Sequence, residues 1–141
     1  MELKKRILLK LDEMNRYLSE LEEFLPDNDK EYIKEPQVRR ACEKTVELAI
    51  EAVLSVISII VSHQRLGLPE SEDDLINILE KKKILSSNLA EKVRGMKGFR
   101  NILVHRYGEV NDHLAYKNMS EKGDDFSRFE KEIKNYIKKL E

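Results

Sequence analysis

Residues 36–65 read PQVRRACEKTVELAIEAVLSVISIIVSHQR, and this run decides the fold. Pro36 suits the first turn of a helix, where a missing N–H costs nothing. After it, apolar side chains recur every three or four residues at Val38, Cys42, Val46, Ala49, Ile50, Val53, Leu54, Ile57 and Ile60. That period predicts one helix of roughly 30 residues, about 45 Å long. Between Val53 and Val61 the helix is apolar almost all round, interrupted only by Ser55 and Ser58. A helix of this kind has to be covered on several sides. The apolar stretch itself is far shorter than the ~20 residues that span a bilayer. Gly67 and Pro69 close the helix. Its apolar circumference exceeds what four neighbours are expected to cover, so self-association is a natural remedy.

Reading outward, residues 3–25 form an amphipathic helix with Leu3, Ile7, Leu11, Met14, Leu18, Leu21 and Leu25 on one face. Pro26 ends it, and Asp27 to Asp29 read as a polar loop. Ser71 to Lys82 is a short helix whose Ser71-Glu72-Asp73-Asp74 start supplies a cap and the acids that a helix dipole favours. Ser86 or Ser87 caps the next helix, with Leu89, Val93, Met96, Phe99, Ile102 and Leu103 as apolar positions. That helix ends near His105 to Tyr107, with Gly108 as the residue after the C-cap. Residues 109–122 are polar and read as irregular, and a last helix covers 124–140. The expected fold is all-α: an antiparallel bundle of four to five helices, in a single domain spanning 1–141.

Composition agrees. The chain has 141 residues, of which 40% are apolar, enough for one core and not for two. Gly (5) and Pro (3) are scarce and Trp is absent, which argues against an all-β protein rich in turns. The net charge of −1 advertises no general affinity for nucleic acid, so any such affinity must be local. A single cysteine, Cys42, excludes an intrachain disulfide and a Cys-rich zinc site, and it reads as a small core or interface residue. The first ten residues carry charges and no apolar h-region, so the expected compartment is the cytoplasm and no membrane partner is implied.

One segment stands apart: Arg100-Asn101-Ile102-Leu103-Val104-His105-Arg106-Tyr107. On a helix, Asn101 and His105 lie one turn apart on nearly one face, whereas Arg100 and His105 are about 140° apart. A guanidinium offers a planar fork for phosphate, and an imidazole moves protons near neutral pH. Together they suit RNA cleavage by attack of the ribose 2′-OH, with His105 handling the proton and Arg100 the charge on the phosphorane. The plainer reading is that these residues cap carbonyls at a helix C-terminus. Glu43, Glu47 and Glu51 form an i, i+4 acidic ladder on the long helix. This is either an exposed face or a source of one carboxylate, Glu43, that orients Arg100 or faces the cleft. His63 and His113 read as surface residues, and no pair of histidines has metal-ligand spacing.

The run R-N-I-L-V-H-R-Y resembles the R-x4-H-x-Y signature of HEPN-domain proteins, in particular the HepT-like toxin branch. The likeness extends over about residues 5–120. It includes Arg40-Ala41-Cys42-Glu43 early in the long helix, the Gly67-Leu-Pro turn, the acidic Ser71 cap and the Phe99-Arg100-Asn101 lead-in. Asn111 stands where many relatives are expected to have Asp. The resemblance implies a homodimeric ribonuclease with two motifs facing one cleft, acting on RNA (tRNA or mRNA) without metal or other cofactor. Its products would carry 2′,3′-cyclic phosphate and 5′-hydroxyl ends. It implies Arg100 and His105 as the catalytic pair and Asn101 as a polar helper. It also implies an MNT-type nucleotidyltransferase antitoxin as partner, which silences the toxin by adenylylating Tyr107. RNA affinity would come from a local patch of Arg100, Arg106, Arg94 and Lys97. The alternative is a non-catalytic helical subunit that binds a nucleotide or a nucleotidyltransferase partner.

Overall fold

A computed structural model of the chain describes residues 2–105 and 110–140. The described residues form seven helices: α1 (Leu3–Phe24), α2 (Asp29–Lys34), α3 (Pro36–His63), α4 (Glu72–Lys81), α5 (Ser87–His105), α6 (Asp112–Glu121) and α7 (Gly123–Lys138). The four long ones, α1, α3, α5 and α7, make the antiparallel bundle. Helix α1 packs along α3, α3 meets α5, α5 meets α7, and α7 returns to α1. Side chains fix these neighbours in place. Gln64, just past the end of α3, donates to the Tyr136 hydroxyl near the end of α7 at 3.3 Å. Ser86 begins α5 and is held by Glu132 of α7, which accepts from its backbone N–H at 2.7 Å and from its hydroxyl at 2.8 Å. The same hydroxyl accepts from the Leu89 N–H at 3.2 Å, so Ser86 is the cap.

The core is one contiguous cluster of buried side chains reaching from Leu3 to Ile137. Helix α3 runs through its centre. Val53, Leu54, Val56, Ile57, Ile60 and Val61 are all buried within the single chain. The apolar surplus of this helix is therefore covered by α1, α4, α5 and their neighbours, and it gives no reason of its own for self-association. An 18-residue window of α3 reaches a mean hydropathy of 2.0, enough by length and composition to cross a membrane, yet 61% of that window is buried inside the protein. It is a core helix.

Two expectations change. Residues 29–34, of which only Asp29 is expected in a loop and the rest in no element, and residues 112–121, read as irregular chain, are helices. Each has an Asn cap: Asn28 accepts from the Glu31 N–H at 2.9 Å, and Asn111 accepts from the Leu114 N–H at 3.1 Å. They pack on each other, with the Tyr32 and Tyr116 ring centroids 5.5 Å apart, and Tyr116 donates to the Pro26 carbonyl at 2.7 Å. Only Tyr32 in α2 and Ala115 and Met119 in α6 are buried, too few to show a period in the sequence. The turn after α3 also differs in detail. Arg65 takes the left-handed conformation (φ 54°), while Gly67 admits close approach, since a Cβ there would meet the Ile78 side chain at 3.0 Å.

Candidate active site at the end of helix α5

Helix α5 continues without a break to His105, so the angular relations expected along it hold. Arg100 turns inward and only 14% of its side chain is exposed. Asn101 is half-buried and His105 is exposed. Asn101 and His105 share the outer face, one turn apart, and Arg100 points between α3 and α4. Arg106 and Tyr107 lie outside the described residues, as does Gly108.

The carboxylates around Arg100 are not the one expected. Its Nη2 donates to Glu72 at the first position of α4, and its Nη1 lies 4.0 Å from Glu51 of α3. Glu43 is elsewhere. It accepts from the Tyr32 hydroxyl at 3.4 Å, and its carboxyl is pushed up by burial and by the nearby Asp112. Burial and the same Tyr32–Glu43 contact raise the Tyr32 hydroxyl far above its usual range. Glu51 does come from the acidic ladder, one turn beyond Glu47. Burial and Glu47 raise its carboxyl, with Arg100 acting in the opposite direction. Cys42 is fully buried, and burial followed by Glu43 pushes its thiol up to about 11, so it is an inert core residue.

Arg94 and Lys97 of the expected basic patch are likewise occupied. Arg94, Lys97 and Arg100 form an inward column at intervals of three residues, and each meets an acid of α4. Arg94 donates to Glu80 and, at 2.7 Å, to Asn77. Lys97 lies 2.8 Å from Asp73. The Glu80 carboxyl is held below its ordinary 4.5 chiefly by the hydrogen bond from Arg94. Glu72 and Asp73, acids of the first turn of α4, thus serve α5 as counterions as well, and Glu80 does so from its last turn.

His113 meets Asp29 at 2.8 Å, and His63 is an exposed last residue of α3. Among the described residues no group of three or more His, Cys, Asp or Glu is placed to hold a metal ion. A cavity of about 860 Å³ opens between α1, α3, α5 and the α6–α7 junction, lined by residues such as Asn15, Glu22, Ile50, Lys92 and Phe126. None of Arg100, Asn101 or His105 lines it.

The all-helical bundle is HEPN-like. The family model described as "Ribonuclease HepT-like" matches residues 14–133, and the chain belongs to this family. Two curated relatives are similar to it. The tRNA nuclease HepT of Aphanizomenon flos-aquae is 24% identical over 132 residues, 94% of this chain and 90% of that protein. The mRNA nuclease HepT of Shewanella oneidensis is 30% identical over 79 residues, 56% of this chain, and the matched stretch spans 59% of that protein. Solved structures share the fold. A tri-AMPylated Shewanella oneidensis HEPN toxin in complex with MNT antitoxin superposes with a TM-score of 0.85 at 23% identity, covering 92% of this chain and 96% of that one. The cytosolic protein YutE of Bacillus subtilis gives 0.81 at 19% identity, covering 97% and 92%.

Proposed function

We propose that this protein is the ribonuclease toxin of a HepT/MNT toxin-antitoxin system, acting in the cytoplasm as a homodimer. Membership of the HepT-like family, with the Arg100–His105 motif inside the matched region, carries this reading. His105 stands exposed at the end of α5, where it can take the proton of a ribose 2′-OH. Arg100 binds the scissile phosphate and stabilises the phosphorane. Asn101 shares the face of His105 and orients the substrate. Glu43 braces the α2–α3 corner through Tyr32. The cleavage needs no metal, and the substrate is RNA, tRNA or mRNA. Arg106 contributes a further phosphate contact.

Because Arg100 and His105 point about 140° apart on one helix, a single motif does not close on one phosphate. A second copy supplies the facing motif and makes a composite cleft. Regulation follows from the same chemistry. An MNT-type nucleotidyltransferase antitoxin transfers AMP to Tyr107, placing bulk and negative charge beside the groups that receive RNA phosphate.

The test is RNA cleavage by full-length, unmodified protein in excess EDTA, beside His105→Ala. Cleavage by wild type alone bears out the reading. If an RNA set broad in sequence and structure stays intact, with intact mass showing Tyr107 unmodified, the nuclease reading fails. One observation favours a second reading, a non-catalytic subunit that binds a nucleotide or its partner. Arg100 is sunken and held by carboxylates. In that case both proteins leave RNA whole, and His105→Ala weakens only binding.

A further inference from the structure

Arg100 is held in an arrangement that opposes the task proposed for it. Its terminal nitrogens face Glu72 and Glu51, the groups a phosphate would have to replace or share. Both carboxylates are 41% exposed against 14% for the guanidinium, so an arriving phosphodiester meets negative charge before it meets Arg100. The guanidinium is also incompletely served. Its Nε is buried and, among the described residues, finds no hydrogen-bond acceptor. A buried unpaired donor is costly, and the guanidinium sheds that cost only by moving to where an acceptor can reach it. The other two cations of the inward column, Arg94 and Lys97, pair with α4.

We propose that Glu72, assisted by Glu51, is a carboxylate latch on Arg100: it holds the guanidinium between α3 and α4 and competes with substrate phosphate, so that the start of α4 sets the affinity for RNA. This rests on the reading of Arg100 as the phosphate-binding group. Glu72 is a positioning residue here, because it acts through Arg100 and does not touch the reacting atoms. Substrate binding exchanges one anion for another at the guanidinium, and Glu72, at a helix start and half in solvent, is free to swing away.

The experiment measures binding of a fluorescein-labelled 2′-O-methyl RNA oligonucleotide, which lacks the attacking hydroxyl, by anisotropy with the full-length protein. The variants are Glu72→Gln, Glu51→Gln, Arg100→Gln, the Arg100→Gln/Glu72→Gln double, and Glu70→Gln as a control for loss of one nearby negative charge. Circular dichroism checks each fold. Glu72→Gln is expected to tighten binding about threefold to tenfold, the range of a partly screened ion pair. Glu51→Gln should gain less, and Glu70→Gln about twofold at most. The gain should vanish in the Arg100→Gln background. Glu72→Gln that binds no tighter, or that slows cleavage at unchanged affinity, overturns the latch while Arg100→Gln still loses binding. If Arg100→Gln binds like wild type, the phosphate role of Arg100 has itself failed.

Discussion

The two faces of helix α5 handle polar groups in opposite ways. On the inward face Arg94, Lys97 and Arg100 are each matched by a carboxylate from α4, in spaces shaped by buried Leu89, Val93 and Met96. On the outward face Asn101 and His105 stand beside Ile102, whose side chain is 41% exposed in a protein that buries most of its large hydrophobics. The inward face is settled within one chain. The outward face holds His105, the proton-transfer group of the proposed reaction, and is unfinished, as a surface awaiting substrate or a second copy would be; Arg100, the proposed phosphate group, lies on the settled face. Rigid packing on one side lets the other hold reactive groups at fixed angles without their contributing to stability.

Breaking the outward face should have the largest effect and leave the fold alone. His105→Ala is expected to lower RNA cleavage by about 10²–10⁴-fold with an unchanged melting temperature, because an exposed imidazole is removed. A fall in stability with retained cleavage would reverse the assignment of the two faces. Breaking the inward face should do the opposite. Leu89 is fully buried, and Leu89→Ala should destabilise the protein by about 2–5 kcal/mol in urea titration, leaving a cavity behind.

Smaller effects sharpen the contrast. Arg94→Ala is expected to lower stability slightly at low salt and less at high salt. Glu80 sits below its ordinary 4.5 when paired, so this contribution is full above that value and disappears as pH falls through the lowered one. A loss that persists unchanged in acid would mean packing, not charge, holds Arg94. Glu43 carries the opposite sign. Its carboxyl is raised, so ionising it costs stability, and that cost grows as pH rises through the raised value. Glu43→Gln should therefore stabilise by under about 1 kcal/mol at neutral pH and be neutral in acid, where both side chains are uncharged. Thermal melts across pH check this, and a destabilised variant at neutral pH would show that Tyr32 needs the charged acceptor.

Much of the architecture was legible because long helices repeat their signal. The stripes of α1, α3, α5 and α7 each offer several apolar positions at one period, and the limits of α3 and α7 fall within about two residues of those expected. Helices α2 and α6 have six and ten residues and show no stripe. They are held by tertiary contacts: the Tyr32 and Tyr116 rings pack α2 on α6, and Arg39 of α3 pairs with Asp112 of α6 at 3.6 Å. The site was legible as a set of residues on one helix, since Arg100, Asn101 and His105 are close in the chain. Its charge partners were not. Glu72 has a complete local explanation as an acid in the first turn of α4, and that explanation concealed its second role at Arg100, 28 residues away.

The sequence by itself determined the helical class, the helix that had to be buried, and the motif at the end of α5, because periodicity and short spacings are local properties of a chain. Tertiary structure alone decided which carboxylate meets which cation. Opposite charges attract without regard to separation along the chain, so the sequence pointed to Glu43 for Arg100, whereas the packing of α3, α4 and α5 brought Glu51 and Glu72 near and carried Glu43 to Tyr32.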